Sequence, residues 1–327
     1  MLSRAYFSVV DRLPVPSVRV QRIIAFVVIL TQGGISVTGA VVRVTGSGLG
    51  CPTWPQCFPG SFTPVGVSEV PVLHQAVEFG NRMLTFAVVL TAAAIVLAVT
   101  RARRRREVVV YAWLMPAGTV LQAGVGGITV LTGLLWWTVA VHLVISMLMV
   151  WLATLLFHKI GEKDEGVSVP AVPAPLRWLT VLSAVLLAGV LVAGTMVTGA
   201  GPHAGDADVA RLEVEIVTLV HLHAELLVGY LALLVGLTFA VYAVSPSGAS
   251  AIKKRLQVVI AIVVAQACVG IVQYFTDVPA ALVAVHVAGA ATATAATAAL
   301  WVSLRERETV PAAEDTDVTS PRLARAD

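Results

Sequence analysis

Charged residues are scarce in this chain, and their scarcity limits the classes of protein it can belong to. Only 13% of the 327 residues are Asp, Glu, Lys or Arg, whereas a soluble globular domain carries about 25%. The chain is 57% hydrophobic, and its formal net charge is only +3. So small a charge does not indicate a nucleic-acid partner. The composition therefore predicts a membrane protein with no nucleic-acid partner.

Apolar runs of about 20 residues recur eight times, and a helix of that length crosses a bilayer. We predict spans at 23–42, 79–99, 108–129, 136–157, 177–198, 217–243, 256–275 and 281–303. The fold class is therefore all-α with eight transmembrane helices. The expected organisation is a cytosolic lead-in at 1–22, a first bundle at 23–157, a cytosolic linker at 158–176, a second bundle at 177–303 and a disordered cytosolic tail at 304–327.

The Lys and Arg residues indicate the orientation, because cytoplasmic loops of membrane proteins carry an excess of both. With the N-terminus placed inside, only Arg43, Arg82 and Arg211 of the 22 basic residues lie at the outer side. We therefore predict a multi-pass protein of the bacterial cell membrane with both termini in the cytoplasm. The segment at 43–57 then lies outside.

Cysteine is also rare, and two of the three cysteines lie in that outer segment. Cys51 and Cys57 follow a glycine-rich run and enclose two prolines, so the segment is expected to be a rigid loop without helix or strand. On the oxidising side of the membrane a disulfide persists. A Cys51–Cys57 disulfide, structural or redox-active, is the favoured interpretation over two unrelated thiols. A metal site would need more ligands nearby.

The chain contains an internal repeat, in which the third and fourth spans align with the seventh and eighth without a gap at an offset of 144 residues. V-A-V-H occurs at 139–142 and again at 283–286, and T-G-S-G at 45–48 corresponds to T-G-A-G at 198–201. Each copy contains four spans, so both copies share one orientation. The repeat predicts two tandem four-helix bundles related by a pseudo-two-fold axis along the membrane normal.

Three histidines lie in spans close to the predicted outer face: His142, His223 and His286. Two imidazoles from facing helices can ligate a haem iron axially. We favour haem ligation for these residues over the alternative of hydrogen-bonded core histidines. His221 is two residues from His223 and points to another side of the helix, so only one of the two can face the core.

The two halves of the repeat are not equivalent. Asn81 aligns with His223, and Glu78, Arg82 and Arg43 have no charged counterparts in the second half. A carboxylate, a histidine and anion-binding arginines are typical of a catalytic site, whereas two histidines alone are typical of an electron-transfer site. Two alternatives stay open. In the first, Glu78 is a solvated residue at the start of a helix. In the second, Arg43 and Arg82 are interfacial side chains whose charged ends reach water.

These residues resemble the haem A synthase family. The resemblance rests on G-A-V-V-R-V-T-G-S-G-L-G-C-P-T-W-P-Q-C, on Glu78-x-x-x-Arg82 and on the three histidines, and it covers residues 23–303. It implies oxidation of a methyl group of haem O to a formyl group by successive hydroxylations, for the biogenesis of haem-copper oxidases. It also implies a haem b cofactor between His223 and His286.

The resemblance assigns further roles and partners. Glu78 and His142 would be catalytic in a first-half site for haem O, with His142 on its iron. Arg43 and Arg82 would hold haem propionates, and the cysteine pair matches that of the family. The expected partners are haem O and haem A, the farnesyltransferase that makes haem O, cytochrome oxidase assembly proteins and a membrane electron acceptor.

One position departs from the family pattern. Asn81 stands where the family often has a histidine, and an amide is not an axial haem ligand. Either His142 alone holds the haem O iron, which we favour, or His74 replaces the missing ligand. The competing function is a membrane cytochrome b that exchanges electrons with quinone. A transporter is less consistent with polar residues that cluster at one edge of the membrane.

Overall fold

The computed structural model describes residues 8, 10–66, 69–245 and 247–308. Within these residues, eight helices are long and apolar enough to cross a membrane, which confirms the predicted fold class. They are α1 (Val18–Val44), α2 (Val72–Arg101), α3 (Arg106–Leu131), α4 (Trp136–Gly161), α5 (Ala174–Ala200), α6 (Ile216–Val244), α7 (Ser250–Phe275) and α8 (Ala280–Ser303). Two short strands, β1 (Val167–Pro170) and β2 (Arg305–Glu308), pair in antiparallel orientation.

Every predicted span lies inside an observed helix, but the helices extend further than the apolar runs. The largest difference is in α2, which begins at Val72 rather than at residue 79. Gln75 stabilises this extra turn. Its Nε2 donates to the Val70 carbonyl at 2.9 Å, and its Oε1 accepts from the Val65 amide at 3.0 Å. Glu78 and Asn81 are therefore well inside a helix.

The helices pack in chain order within each half. In the first half (α1–α4), each helix contacts the next and α4 returns to α1; the second half (α5–α8) repeats this pattern with α8 returning to α5. The halves meet through α1 with α8, α4 with α8 and α4 with α5. The pseudo-two-fold axis between the halves, and the predicted domain boundaries, stay predictions.

We call the two ends of the helices the disulfide end, which carries the loop with Cys51 and Cys57, and the arginine end, which carries the loop after α2. The largest apolar clusters lie toward the arginine end, with Ile95 and Leu156 in the first half and Leu234 and Leu256 in the second. The polar site residues lie within about 15 Å of the disulfide end, at 1.5 Å per helical residue. In each half, therefore, the polar site lies toward the disulfide end and the apolar core toward the arginine end.

Arg104 organises the arginine end of the first half. Its buried guanidinium donates to Asp164, to Gln21 and to the carbonyl groups of Ile160 and Glu162. Burial would raise the pKa of Asp164, but the hydrogen bonds and charges of Arg104 and its neighbour outweigh burial and lower that pKa. This network fixes the segment that follows α4.

The predicted disordered tail is wrong for its first residues. Arg305–Glu308 form β2, which pairs with β1 of the segment between the halves, and the Ala171 amide donates to the Leu304 carbonyl at 2.9 Å. Backbone pairing with a distant strand orders a segment whose charge alone indicated disorder. The rest of the predicted tail, 309–327, lies outside the described residues.

Candidate functional site

The loop between α1 and α2 is closed by a disulfide between Cys51 and Cys57, as predicted. Both cysteines are buried. The loop packs directly on two helices. A Cβ on Gly50 would lie 2.2 Å from the His74 carbonyl oxygen, and a Cβ on Gly127 of α3 would lie 2.5 Å from the Trp54 ring. Glycine is required at both contacts because no side chain fits there.

Glu78 and Arg82 join this loop to α2. Glu78 Oε2 accepts from the Cys51 amide at 2.6 Å, and Glu78 Oε1 accepts from Arg82 Nη2 at 2.7 Å and Nε at 3.2 Å. Arg82 also donates to the carbonyl groups of Cys51, Thr53 and Gln56. Glu78 is buried, so it is not the solvated helix-start residue of the alternative interpretation.

The hydrogen bonds of Glu78 leave it with spare acceptor capacity. An ionised carboxylate offers about four lone-pair sites. Three donors, one from Cys51 and two from Arg82, occupy three of them. A carboxylate that is fixed by these hydrogen bonds and has one free lone pair on Oε2 can accept a proton from a ligand while it stays in place.

Arg43 contacts the second half. Its Nη2 donates to the carbonyl of Ala204, in the loop between α5 and α6, at 3.3 Å. Its Nε is buried and has no hydrogen-bond partner among the described residues. A buried unpaired donor on a cation is costly. Arg43 therefore suits an anionic group of a ligand between the two halves.

Loop contacts at the disulfide end hold Arg43 in this place. The Gly48 amide donates to the Gly205 carbonyl at 2.9 Å, and Leu134 packs between these two glycines. A Cβ on Gly48 would lie 2.5 Å from a methyl carbon of Leu134. Three loops from both halves therefore meet beside Arg43.

His142, on α4, lies against α3. A Cβ on Gly126 would lie 3.2 Å from the His142 ring, and Gln122 Nε2 donates to the His142 carbonyl at 3.2 Å. Within the described part of the chain, the buried Nδ1 of His142 has no partner. Asn81, which stands where the family often has a histidine, accepts through its Oδ1 from Thr38 Oγ1 of α1 at 2.7 Å.

The second half brings the rings of His223 and His286 next to each other, with their planes inclined at 64°. Their ring centroids are 6.2 Å apart. Two metal–nitrogen bonds of about 2.0 Å, with about 1.2 Å from each nitrogen to its ring centroid, require a similar separation of roughly 6.4 Å. His223 Nδ1 lies 2.9 Å from the Val190 carbonyl, which fixes the ring. The pair fits the axial ligands of a haem. His221 is exposed, so the prediction that only one of the two α6 histidines faces the core is right.

Small residues leave room for both rings. A Cβ on Gly194 of α5 would lie 3.2 Å from the His223 ring, and one on Gly270 of α7 would lie 3.8 Å from the His286 ring. Gly126 beside His142 is the repeat counterpart of Gly270. Each candidate ligand therefore lies against a glycine of a neighbouring helix.

A family comparison agrees with this arrangement. The sequence model of the COX15-CtaA family, described as cytochrome oxidase assembly protein, matches residues 22–298. The chain belongs to this family. Among curated relatives, the heme A synthase of Geobacillus kaustophilus is 35% identical and that of Geobacillus thermodenitrificans 32% identical, each over 98 residues. Each alignment covers 30% of this chain and 29% of the relative, so the match to these relatives is confined to under a third of their length.

Some residues of the candidate site were not predicted from the sequence. Thr38 carried no signal because a threonine in an apolar span is common. Gln122 and Gln266 were recognisable as repeat counterparts, and each has a buried Oε1 without a partner among the described residues. His142 and His286 likewise share an unpaired Nδ1. The same polar atoms are therefore unpaired at matching positions of the two halves.

Proposed function

We propose that this protein is a haem A synthase, an oxidoreductase that converts a methyl group of haem O to a formyl group. One observation carries the proposal. The two halves of one chain offer different donor sets: two facing imidazoles in the second, and one histidine beside a held carboxylate in the first. The pair of imidazoles suits an electron-transfer site, and the histidine with the carboxylate suits a catalytic site.

His223 and His286 would hold haem b. The fit of their 6.2 Å separation to two axial bonds supports this assignment. The Val190 carbonyl, by accepting from His223 Nδ1, would leave Nε2 as the ligating nitrogen. Haem b, when bound, supplies one-electron redox chemistry. The protein would orient the two rings and exclude water through the apolar residues that lie between the rings and the arginine end.

Haem O, the substrate, would bind in the first half, with His142 as the ligand of its iron. Asn81 offers no imidazole, so one axial position would stay open, as we favoured from the sequence. Arg43 would pair with a propionate through its free Nε. The role expected for Arg82 is less well supported, because its guanidinium is already engaged by Glu78 and the loop carbonyls.

The overall conversion removes four electrons. A methyl group and one water give a formyl group, four protons and four electrons, through two hydroxylations and loss of water from the resulting diol. A membrane electron acceptor must take the electrons. Glu78 would accept a proton through the open lone pair on Oε2, and Arg82 would stabilise the carboxylate in its charged form.

The location and partners follow from the same proposal. The positive-inside rule would place the arginine end in the cytoplasm, with both termini, and the disulfide end outside a bacterial cell membrane. The enzyme that farnesylates haem would supply the substrate, and cytochrome oxidase assembly proteins would use the product. A plain cytochrome b is less favoured, since it has no use for Glu78 or for the disulfide loop.

The deciding experiment is turnover of added haem O. Membranes that contain the protein, which supply the electron acceptor, should convert haem O to haem A as measured by chromatography and mass spectrometry of extracted haems. Membranes without the protein are the control. A normal low-spin haem b spectrum without any formyl product would overturn the proposal in favour of an electron carrier.

A further inference from the structure

Two cavities lie at the arginine end, far from the proposed haem sites. The larger, about 500 Å³, is lined by Val18, Arg19, Arg22, Ile23 and Phe26 of α1 and by Phe157 of α4. The smaller, about 270 Å³, lies between α7 and α8 and is lined by Ala251, Lys254, Arg255, Val258, Ala296 and Ala299. Each cavity combines two basic side chains with apolar walls.

A chain of contacts connects the cavities. The Arg22 guanidinium carbon lies 4.7 Å from the centroid of the Phe157 ring, and that ring lies 5.2 Å from the ring of His158. Arg255 Nη2 lies 3.5 Å from His158 Nδ1. Both guanidinium groups are within electrostatic reach of the His158 ring. The cavities are therefore neighbours, at the junction where α1 and α4 meet α8.

The basic residues of this junction lack counter-charges. Within the described part of the chain, no carboxylate forms an ion pair with Arg19, Arg22, Lys254 or Arg255, whereas the nearby Arg104 pairs with Asp164. Arg255 is held in place through the Ala299 carbonyl, which leaves its charge uncompensated. A cluster of cations without carboxylate partners among the described residues suits an anionic ligand.

The apolar walls of the two cavities indicate which class of anionic ligand fits. Ile23 and Phe26 are 55% and 49% exposed, and Val258 is 46% exposed. Phe26 lies one helical turn from Arg22, on the side toward the membrane centre. The junction thus presents a layer of cations at the helix ends and an apolar surface directly below it. A soluble anion would use only the first layer.

We propose that this junction binds an anionic phospholipid, with its phosphate between Arg22 and Arg255 and its acyl chains along the two cavities. Basic pockets between transmembrane helices recognise acidic headgroups in this way. A zwitterionic lipid would bring a cationic group toward the same arginines, so the junction favours lipids with a net negative charge. The ligand bridges α1 of the first half and α7 of the second, and would stabilise their association.

The test measures lipid binding to the purified full-length protein by native mass spectrometry, with phosphatidylglycerol and phosphatidylcholine of identical acyl chains. Wild type should bind phosphatidylglycerol at least tenfold more tightly than phosphatidylcholine. R22Q/R255Q should lose most of that preference. R103Q/R106Q, which removes two exposed arginines from the same end but outside both cavities, should keep it within twofold.

A second variant keeps the charges and fills the smaller cavity. In A296L the added side chain occupies the wall of that cavity, so the affinity for phosphatidylglycerol should fall while a free glycerol phosphate headgroup shows no measurable binding to either protein. Equal binding of the two lipids by wild type, or equal losses in R22Q/R255Q and R103Q/R106Q, would overturn the proposal. Neither result depends on haem turnover, so the proposal fails or stands separately from the proposed function.

Discussion

The two halves of this protein treat the same repeat position differently. In the second half the position is His223, whose ring faces His286 across 6.2 Å. In the first half it is Asn81, whose amide oxygen accepts from Thr38 of the neighbouring helix. One half therefore provides two candidate iron ligands, and the other uses its counterpart to hold two helices together. In the proposed function, this one difference separates a site with two imidazole ligands from a site with one.

The loops above the two sites differ as well. The first-half loop contains the disulfide and is fastened to α2 by Glu78 and Arg82. In the second-half loop, Arg211 donates to the Gly201 carbonyl and the Leu212 amide donates to the Gly199 carbonyl at 3.1 Å. These two contacts position the turn that follows α5. The disulfide and the Glu78–Arg82 ion pair thus fasten the loop above the half proposed to carry out chemistry.

The largest effect should come from Glu78, whose carboxylate has no counterpart in the second half. Glu78→Gln preserves the shape but removes the charge and the proton-accepting lone pair, so haem O turnover should fall about 100-fold or more. The haem b spectrum should not change, because its ligands belong to the other half. Turnover and the absorption spectrum are measured on the same membranes.

The matched control for that variant is Glu225→Gln, which changes an exposed carboxylate on α6. It should leave turnover within twofold of wild type. If Glu78→Gln retains more than a tenth of wild-type turnover, which corresponds to a loss of less than about 1.4 kcal/mol in transition-state stabilisation, then Glu78 is not the proton acceptor.

The second effect concerns the imidazole pair. His223→Ala or His286→Ala should remove the six-coordinate low-spin haem b signal or convert it to a high-spin one, because one axial ligand is lost. Absorption and electron paramagnetic resonance spectra report this change. His221→Ala is the control, because this exposed neighbour on α6 should not affect the spectrum. A low-spin signal that survives in both single variants would exclude this pair as the ligands.

Much of the fold was predictable because its determinants are local. Eight apolar runs predicted the eight helices, and the spacing of His221 and His223 predicted that only one faces the core. The second predicted span began seven residues after the start of α2, because hydropathy detects apolar residues, whereas Gln75 stabilises that turn through hydrogen bonds to the loop. The pairing of β1 with β2 was missed because it joins segments far apart in sequence.

The site was predictable in its residue types but not in its hydrogen bonds. The disulfide followed from two cysteines in a rigid loop, and Glu78 and Arg82 were recognised as candidates. For Arg82, anion binding and snorkelling were the two interpretations, yet the structure shows three loop carbonyls and Glu78 as its partners. Such contacts depend on the path of the loop over α2, which no residue pattern encodes.

A smaller effect should follow when the first half is made more like the second. Asn81→His offers a second imidazole to the iron of haem O, so a second low-spin signal should appear when haem O is added. Turnover should fall several-fold, because the open axial position is filled. Asn81→Ala is the control and should give no new signal. Two low-spin centres already present in haem O-loaded wild type would show that another residue, with His74 the first candidate, acts as the ligand.

The smallest effect tests whether Asn81 has only a structural role in the first half. Thr38→Val keeps the shape of the side chain but removes the donor to Asn81 Oδ1, so stability should fall by about 1 kcal/mol and the thermal midpoint by a few degrees. Thr31→Val is a matched control, because Thr31 joins the same two helices through Thr91 at 3.0 Å, about two turns further from the site. If Asn81 only holds α1 to α2, both variants should lower the midpoint equally and leave the spectrum of bound haem O unchanged. If the freed amide instead contacts bound haem O, only Thr38→Val should alter that spectrum, and the environment of the substrate would then depend on one hydroxyl group that restrains Asn81.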